Sequence, residues 1–290
     1  MHPAPSIITF TVLSGLGFGL MIWLGLGAVD VEGWIAATFC LMALGLAGGG
    51  LLSSLFHLGH PERAPKALTQ WRSSWLSREG ILAIVTMLLF ALFSLIWVFG
   101  GVRSGTLGAL AALAALATVF STAMIYTQMK TVPRWHSPLT PVVFLLASLS
   151  GGALLAGMTA SFWIILSLGV VLILDSVQGE GRFSRANGNI ATATGLGKFG
   201  RLRQLAPPHT GQNYLLKEMV YVIGRKHAHK INIIGMTLAI PVPLFLIGVF
   251  HNGHTTFGLA VVSHIAGMVL LRWLFFARAE HVVGIYYGKH

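Results

Sequence analysis

The 290-residue chain is 55% hydrophobic and only 9% charged, whereas an ordinary soluble domain carries about a quarter charged residues, and this excludes a soluble globular reading. The net charge of +11 sits in short clusters between apolar runs rather than along one stripe, which excludes a nucleic-acid footprint. A single cysteine, Cys40, excludes an internal disulfide and a cysteine-ligated iron–sulfur cluster, so any such cluster belongs to another subunit.

The opening Met1-His2-Pro3-Ala4-Pro5 has no basic n-region and no small-residue cleavage pattern, so the first apolar run reads as a retained helix rather than a signal peptide. A hydrocarbon core of ~30 Å needs about 20 apolar residues per helix. Stretches of that kind are expected at 7–29, 33–56, 80–101, 105–129, 139–159, 161–177, 231–250 and 256–277. Only Thr159-Ala160-Ser161 divides the fifth from the sixth, and together they are too long for one crossing, so a tight helical hairpin is expected there. The fold class is therefore all-α, a bundle of eight transmembrane helices in one integral-membrane domain spanning 1–290. Glycines inside the runs, such as Gly15, Gly17 and Gly19, suit close helix approach. Pro241 and Pro243 are positioned to break the seventh span.

Basic residues in short loops stay on the cytoplasmic side. If there are eight spans, all of the 19 basic residues except Arg103 lie on one face or at helix ends beside it, and Asp30 and Glu32 lie opposite with Arg103. Both termini are then cytoplasmic, in a bacterial inner membrane. The connection at 178–230 is too long for a turn and strongly basic, which makes it the expected docking surface for a cytoplasmic subunit.

The richest polar cluster beside an apolar helix end is Leu55-Phe56-His57-Leu58-Gly59-His60-Pro61-Glu62-Arg63, followed by Ser74-Trp75-Leu76-Ser77-Arg78-Glu79-Gly80. Between them Leu68, Trp71 and Trp75 fall at helical spacing and predict a short interfacial helix that could roof a pocket open to lipid. A histidine can exchange a proton near neutral pH, a carboxylate can relay one, and a guanidinium can hold a polar oxygen. His57, Arg63 and Glu79 together suit a quinone, which needs a hydrogen bond at its carbonyl and a proton route. The competing reading is a capped helix end facing headgroups, and spacing alone does not separate the two.

The other ionisable residues carry weaker signals. His57 and His60 are interrupted by Pro61, and His227 and His229 point to different helix faces, so neither pair makes a closed metal site. His264 lies about eight residues into the last span, where haem b ligation would require a second histidine at similar depth; a hydrogen-bonded packing histidine is favoured. Asp175 could relay a proton, although its polar exit, Ser176-Val177-Gln178-Gly179, reads as an ordinary boundary.

The ordered set His57-Leu58-Gly59 with Pro61 and Arg63, Ser74-Trp75-Leu76-Ser77 with Glu79, Ile125-Tyr126, Trp135, Leu139-Thr140-Pro141, Glu218-Met219 and Arg225-Lys226-His227-Ala228 resembles the membrane-anchor subunits of dimethyl sulfoxide reductase, the DmsC-type family. The resemblance spans most of the chain. It implies an eight-helix fold, a quinone site at His57, Gly59, Arg63 and Glu79 with His57 and Glu79 handling protons, and a heterotrimer with a molybdopterin catalytic subunit and a four-cluster iron–sulfur subunit. The best-known anchors of that type hold their partners on the periplasmic face, whereas the basic motif loop here is expected on the cytoplasmic face. That departure resembles instead the SoeC-type anchors of cytoplasmic sulfite dehydrogenase. The implied flow is then from sulfite through iron–sulfur clusters to ubiquinone or menaquinone, with no group covalently bound and no activity in the isolated chain. A dimethyl sulfoxide reductase-type anchor that oxidises quinol, a purely structural anchor, and a transporter with a broken helix are the alternatives.

Overall fold

The computed structural model describes all residues except 58–59, 187, 207–208, 210, 212, 221–226, 251–252 and 289–290, and the side chains of His57, Pro61 and His254 are likewise outside it. Among the described residues the regular elements are all helical: α1 (Pro5–Gly25), α2 (Gly33–Ser53), α3 (Trp75–Gly100), α4 (Gly105–Thr127), α5 (Leu139–Leu155), α6 (Ser161–Gly179), α7 (Ala228–Ala239), α8 (Pro241–Val249) and α9 (His254–Ala277). Among the described residues seven segments are long and apolar enough to cross a membrane, with α7 and α8 forming one of them, while α5 has 17 residues and falls short by length. At 1.5 Å per residue α5 is about 25 Å long.

Helix α1 sits at the centre. It is apolar on every side, as a helix must be when no face meets water, and it packs on α2, α4 and α5. Glycine makes this crowding feasible: a Cβ at Gly152 would meet the backbone of Gly19, and a Cβ at Gly25 would meet that of Gly108. Contacts between backbones of this kind supply association where hydrocarbon burial drives nothing, because lipid is as apolar as the helices. A second apolar cluster joins α5 to α9 around Leu154, Ile165, Leu168, Ile240, Ile247 and Met268.

The expected hairpin is present, with Gly157 at φ +66 in the turn between α5 and α6. The fifth run ends at Leu155, not 159. The third helix begins at Trp75, five residues before the expected start, because Ser74 Oγ accepts the Ser77 amide at 3.4 Å and caps it. The expected interfacial helix through Leu68, Trp71 and Trp75 is replaced by two short turns, Ala64–Ala67 and Leu68–Gln70, since the cap at Ser74 restarts the helix and assigns Trp75 to α3.

Pro241 and Pro243 break the seventh span at Ile240, as expected. Proline has no N–H, so Pro243 leaves the Ala239 carbonyl without its helical donor. His264 Nδ1 donates to that carbonyl at 2.8 Å, and Ser263 Oγ donates to the Leu238 carbonyl at 2.8 Å. His264 therefore answers the carbonyl that Pro243 leaves without a donor, and Ser263 adds a second tie from α9 to the same break.

Four segments meet at one end of the bundle. The Met1 amine donates to the Ala279 carbonyl at 2.7 Å, the His2 amide to Glu218 at 2.6 Å and the Val282 amide to Thr131 at 3.0 Å. The long connection lies against the chain after α9 through Asn213 Nδ2 on Tyr287 Oη (3.0 Å).

A buried carboxyl beside an apolar cavity

Glu79 lies one turn inside α3 and is 5% exposed. Its Oε1 is 2.5 Å from Thr122 Oγ1 on α4, and the same hydroxyl is 3.1 Å from the Thr118 carbonyl. One hydroxyl proton serves only one acceptor at a time. With Glu79 protonated, its O–H donates to Thr122 and Thr122 donates to Thr118; with Glu79 ionised, Thr122 turns and donates to the carboxylate. Thr122 thus accommodates both states of the acid without leaving either group stranded.

Glu79 borders a cavity of about 610 Å³ whose walls are chiefly hydrocarbon, including Ile7, Phe10, Leu51, Leu68 and Leu76. Among the described residues, those with polar side chains that border it are Ser54, His60, Arg63, Glu79 and Tyr126. Its roof is the 64–72 segment, held by three ties to α3. Ser77 Oγ donates to the Ala67 carbonyl, Arg78 Nε donates to Trp71 O at 2.9 Å, and Leu68 rests where Gly80 has no side chain. The Arg78 guanidinium lies 4.4 Å over the Trp75 ring, and the loop carbonyls it holds are thereby fixed to the helix start.

The structure brings two of the four sequence-derived site residues to this cavity. Glu79 is buried in its wall and Arg63 stands at its solvent-facing edge, 3.9 Å from Glu62. His57 ends a short turn, Ser54–His57, with its side chain outside the described residues, as is Gly59. His60 borders the cavity and pairs with Glu62 at 2.9 Å. Arg225 and Lys226, used in the resemblance, also lie outside the described residues.

Sequence reading misses Thr122, Tyr126 as a site residue, and Arg272. Tyr126 stands within the quoted Ile125-Tyr126, but only packing reveals that its ring is buried against Trp135, Phe144, Phe275 and Phe276 while its residue reaches the cavity. Arg272 reads from the sequence as one more basic residue at the C-terminal end; it is instead 4% exposed inside α9, with its guanidinium 3.6 Å over the Phe144 ring. The available signal is an arginine within an apolar span, which is a functional candidate by default. Asp175 faces the same interior, bordering a 60 Å³ cavity with Arg272 and Arg134. Outside the spans, burial pulls the Arg134 guanidinium below the usual arginine range, opposed by Asp175, Glu180 and Glu280.

The profile of the DMSO reductase anchor subunit (DmsC) family matches residues 1–175, which run from α1 to within the last turn of α6 and include the whole Glu79 cavity. The chain belongs to that family. It is 32% identical over 323 aligned positions, 99% of each chain, to the C subunit of the sulfite dehydrogenase of Allochromatium vinosum. It is also 32% identical over 164 positions, 53% of this chain and 56% of the relative, to the anaerobic dimethyl sulfoxide reductase chain YnfH of Escherichia coli K12. With its apolar helices, the anchor is a multi-pass membrane protein.

Proposed function

We propose that this anchor is the quinone-reactive subunit of a heterotrimeric molybdopterin oxidoreductase, passing electrons from cytoplasmic sulfite oxidation to ubiquinone or menaquinone. The observation that carries the reading is the Glu79 carboxyl, buried with one hydrogen-bonding side chain and set in the wall of a 610 Å³ apolar cavity. Ligand sites of this kind commonly have volumes of ~300–1,000 Å³ with a few convergent polar groups on hydrocarbon walls, and the lining fits a quinone ring and the start of its tail. A quinone supplies two-electron, two-proton redox chemistry when bound. The residues around it divide the remaining work. The hydrocarbon walls exclude water, Arg63 offers N–H donors and His60 its second ring nitrogen at the loop edge, and Glu79 holds a proton at the inner edge and delivers it to a carbonyl oxygen. His57 and Gly59 complete the proposed site on the strength of the family motif.

Iron–sulfur and molybdopterin partners are assigned to the face bearing the 178–230 connection, since the anchor has no cysteine set of its own and that face is the basic one. Eight crossings, with α5 as the fifth, agree with the meeting of Met1 with Ala279 and of Val282 with Thr131 at one bundle end, because only an even number of crossings returns the chain to the end where it began. Sulfite as the donor substrate rests on the full-length similarity to a sulfite dehydrogenase subunit. The family profile and the Escherichia coli relative favour the second reading, quinol oxidation in a dimethyl sulfoxide reductase-type complex.

The test is turnover of the purified complex with quinone and with a soluble artificial acceptor. Glu79→Gln and His57→Ala are expected to abolish the first and spare the second. Unaltered quinone reduction in both assembled variants would remove the site from this cavity, and substrate turnover by the isolated chain would end the anchor reading. Reporter fusions at His290 and Gly188 are expected on the cytoplasmic side and one at Asn252 on the periplasmic side; the reverse result would restore the dimethyl sulfoxide reductase arrangement.

A further inference from the structure

Once a quinone fills the 610 Å³ cavity, that cavity no longer admits water to Glu79, so a proton given up there must be replaced from behind the acid. What stands behind it is Thr122, whose other side borders a 30 Å³ cavity together with Thr11, Ser14 and Arg272. Arg272 and Met268 separate this space from the 60 Å³ cavity that contains Asp175 and Arg134. Arg134 and Arg278 in turn border both that cavity and a 240 Å³ one that reaches Glu180 and Glu280 beside the long connection. A water needs about 10–15 Å³ of such space and two or more polar partners, and each of the three cavities meets both conditions.

Arg272 supplies the independent sign that this interior is built for water. Its Nε is buried with no hydrogen-bond partner among the described residues, on a residue only 4% exposed. Leaving such a donor dry is costly, the more so for a charged group, and waters in the flanking cavities would satisfy it.

We propose that these cavities form a water-filled proton route from the connection face past Asp175 and Arg272 to Thr122 and Glu79, separate from the entrance used by quinone. The proposal rests on the quinone reading of the Glu79 cavity. A bound quinone takes two electrons from an iron–sulfur cluster of the partner subunit and two protons, becoming the quinol. Glu79 gives the first proton from its O–H to a carbonyl oxygen, the resulting carboxylate is reprotonated along the route, and a second cycle of the same transfer and reprotonation supplies the second proton. Arg272 does not carry the proton, because a guanidinium keeps its charge at any working pH. It orders the waters, and the Asp175 carboxylate on the adjoining cavity offsets the barrier that its charge would otherwise raise.

The experiment follows hydrogen–deuterium exchange of the Glu79 carboxyl by infrared spectroscopy, on the full chain in lipid nanodiscs with ubiquinone in excess. The band is identified by its loss in Glu79→Gln. Two variants close the route without touching the acid. Gly15 borders the 30 Å³ cavity, and a Cβ there meets no atom within 4 Å, so Gly15→Leu fills it; Asp175→Asn removes the carboxylate that offsets the Arg272 charge on the route. Gly45, where a Cβ also meets nothing within 4 Å, borders none of these cavities, and Gly45→Leu is the control. Exchange is expected to slow at least ~10-fold in either route variant, in keeping with loss of a positioned proton carrier, and to stay at the wild-type rate in the control. If ubiquinone shifts the Glu79 band but both route variants exchange at the wild-type rate, the route is overturned and the quinone site stands. If ubiquinone leaves the band unchanged, the quinone reading itself fails, and this proposal fails with it. Should Gly15→Leu not insert, Asp175→Asn alone decides between those outcomes.

Discussion

Glu79 and His264 are both ionisable side chains buried in apolar helices, at 5% and 1% exposure, yet their surroundings differ in kind. Both ring nitrogens of His264 are accounted for, Nδ1 by the Ala239 carbonyl at 2.8 Å and Nε2 by Ser150 Oγ at 3.4 Å. Its carbonyl partner exists because Pro243 cannot donate, so the histidine repairs a helix, and although it borders the 30 Å³ cavity both of its ring nitrogens are already engaged. Glu79 has one oxygen engaged by Thr122 and borders a cavity large enough for a ligand. Depth alone does not tell the two residues apart; what sets Glu79 apart is unused hydrogen-bonding capacity facing a cavity large enough for a ligand.

The largest expected effect separates the two residues directly. Glu79→Gln should lower quinone-coupled turnover of the assembled complex by ~10²–10⁴-fold, the loss usual for a general acid–base group, whereas His264→Gln should leave turnover within about threefold of wild type when the same amount of assembled complex is assayed. Equal losses in the two variants would erase the contrast. Thr122→Val comes next: it keeps the carboxyl but removes the hydroxyl that accommodates both protonation states, and a fall of about tenfold is expected, less than for Glu79→Gln.

A third measurement sharpens the structural side. His264→Phe leaves the Ala239 carbonyl unpaired, which should cost about 1–3 kcal/mol in thermal or denaturant unfolding of the detergent-solubilised chain. In Pro243→Ala the restored amide can serve that carbonyl, so the cost of removing His264 should shrink in the double variant; strict additivity would show that the histidine does not act through the helix break.

The smallest effect concerns pH and lies outside the spans. Burial, with the nearby N-terminal amine, holds His281 below the usual histidine range, and its Nδ1 accepts the Val283 amide at 3.0 Å. The unfolded chain binds a proton that the folded one refuses. The contribution of His281 is therefore complete above the ordinary histidine value and declines as the pH falls below it. Between pH of about 7.5 and about 5.5, His281→Gln should lose less of its melting temperature than wild type. An unchanged pH slope would remove His281 from the account.

Length and hydropathy made the helical plan readable, because a membrane-crossing helix must carry about 20 apolar residues wherever it stands in the fold. The hairpin at Thr159-Ala160-Ser161 and the break at Pro241 followed from the same local rules. The first residue of α3 did not, since Trp75 suits an interface and a helix start equally and the Ser74 cap decides it. Glu79 and Arg63 were legible as members of one polar cluster because charge is rare beside an apolar run, and both border the cavity. Thr122, Tyr126 and Arg272 were not, for threonine and tyrosine are ordinary in such helices and Arg272 sits near a basic terminus.

The sequence alone thus determined which segments are helical and apolar and which polar residues stand at their ends, since each depends on residues close together in the chain. Only the tertiary structure decided that Thr122, 43 residues from Glu79, meets its carboxyl, that His264 answers the carbonyl freed by Pro243, and that Arg272 lies between two small cavities. Those are matters of which helix faces which. In a membrane every face is apolar, so hydrophobic pattern no longer selects the partner, and close backbone contacts such as Gly19 on Gly152 set the arrangement instead.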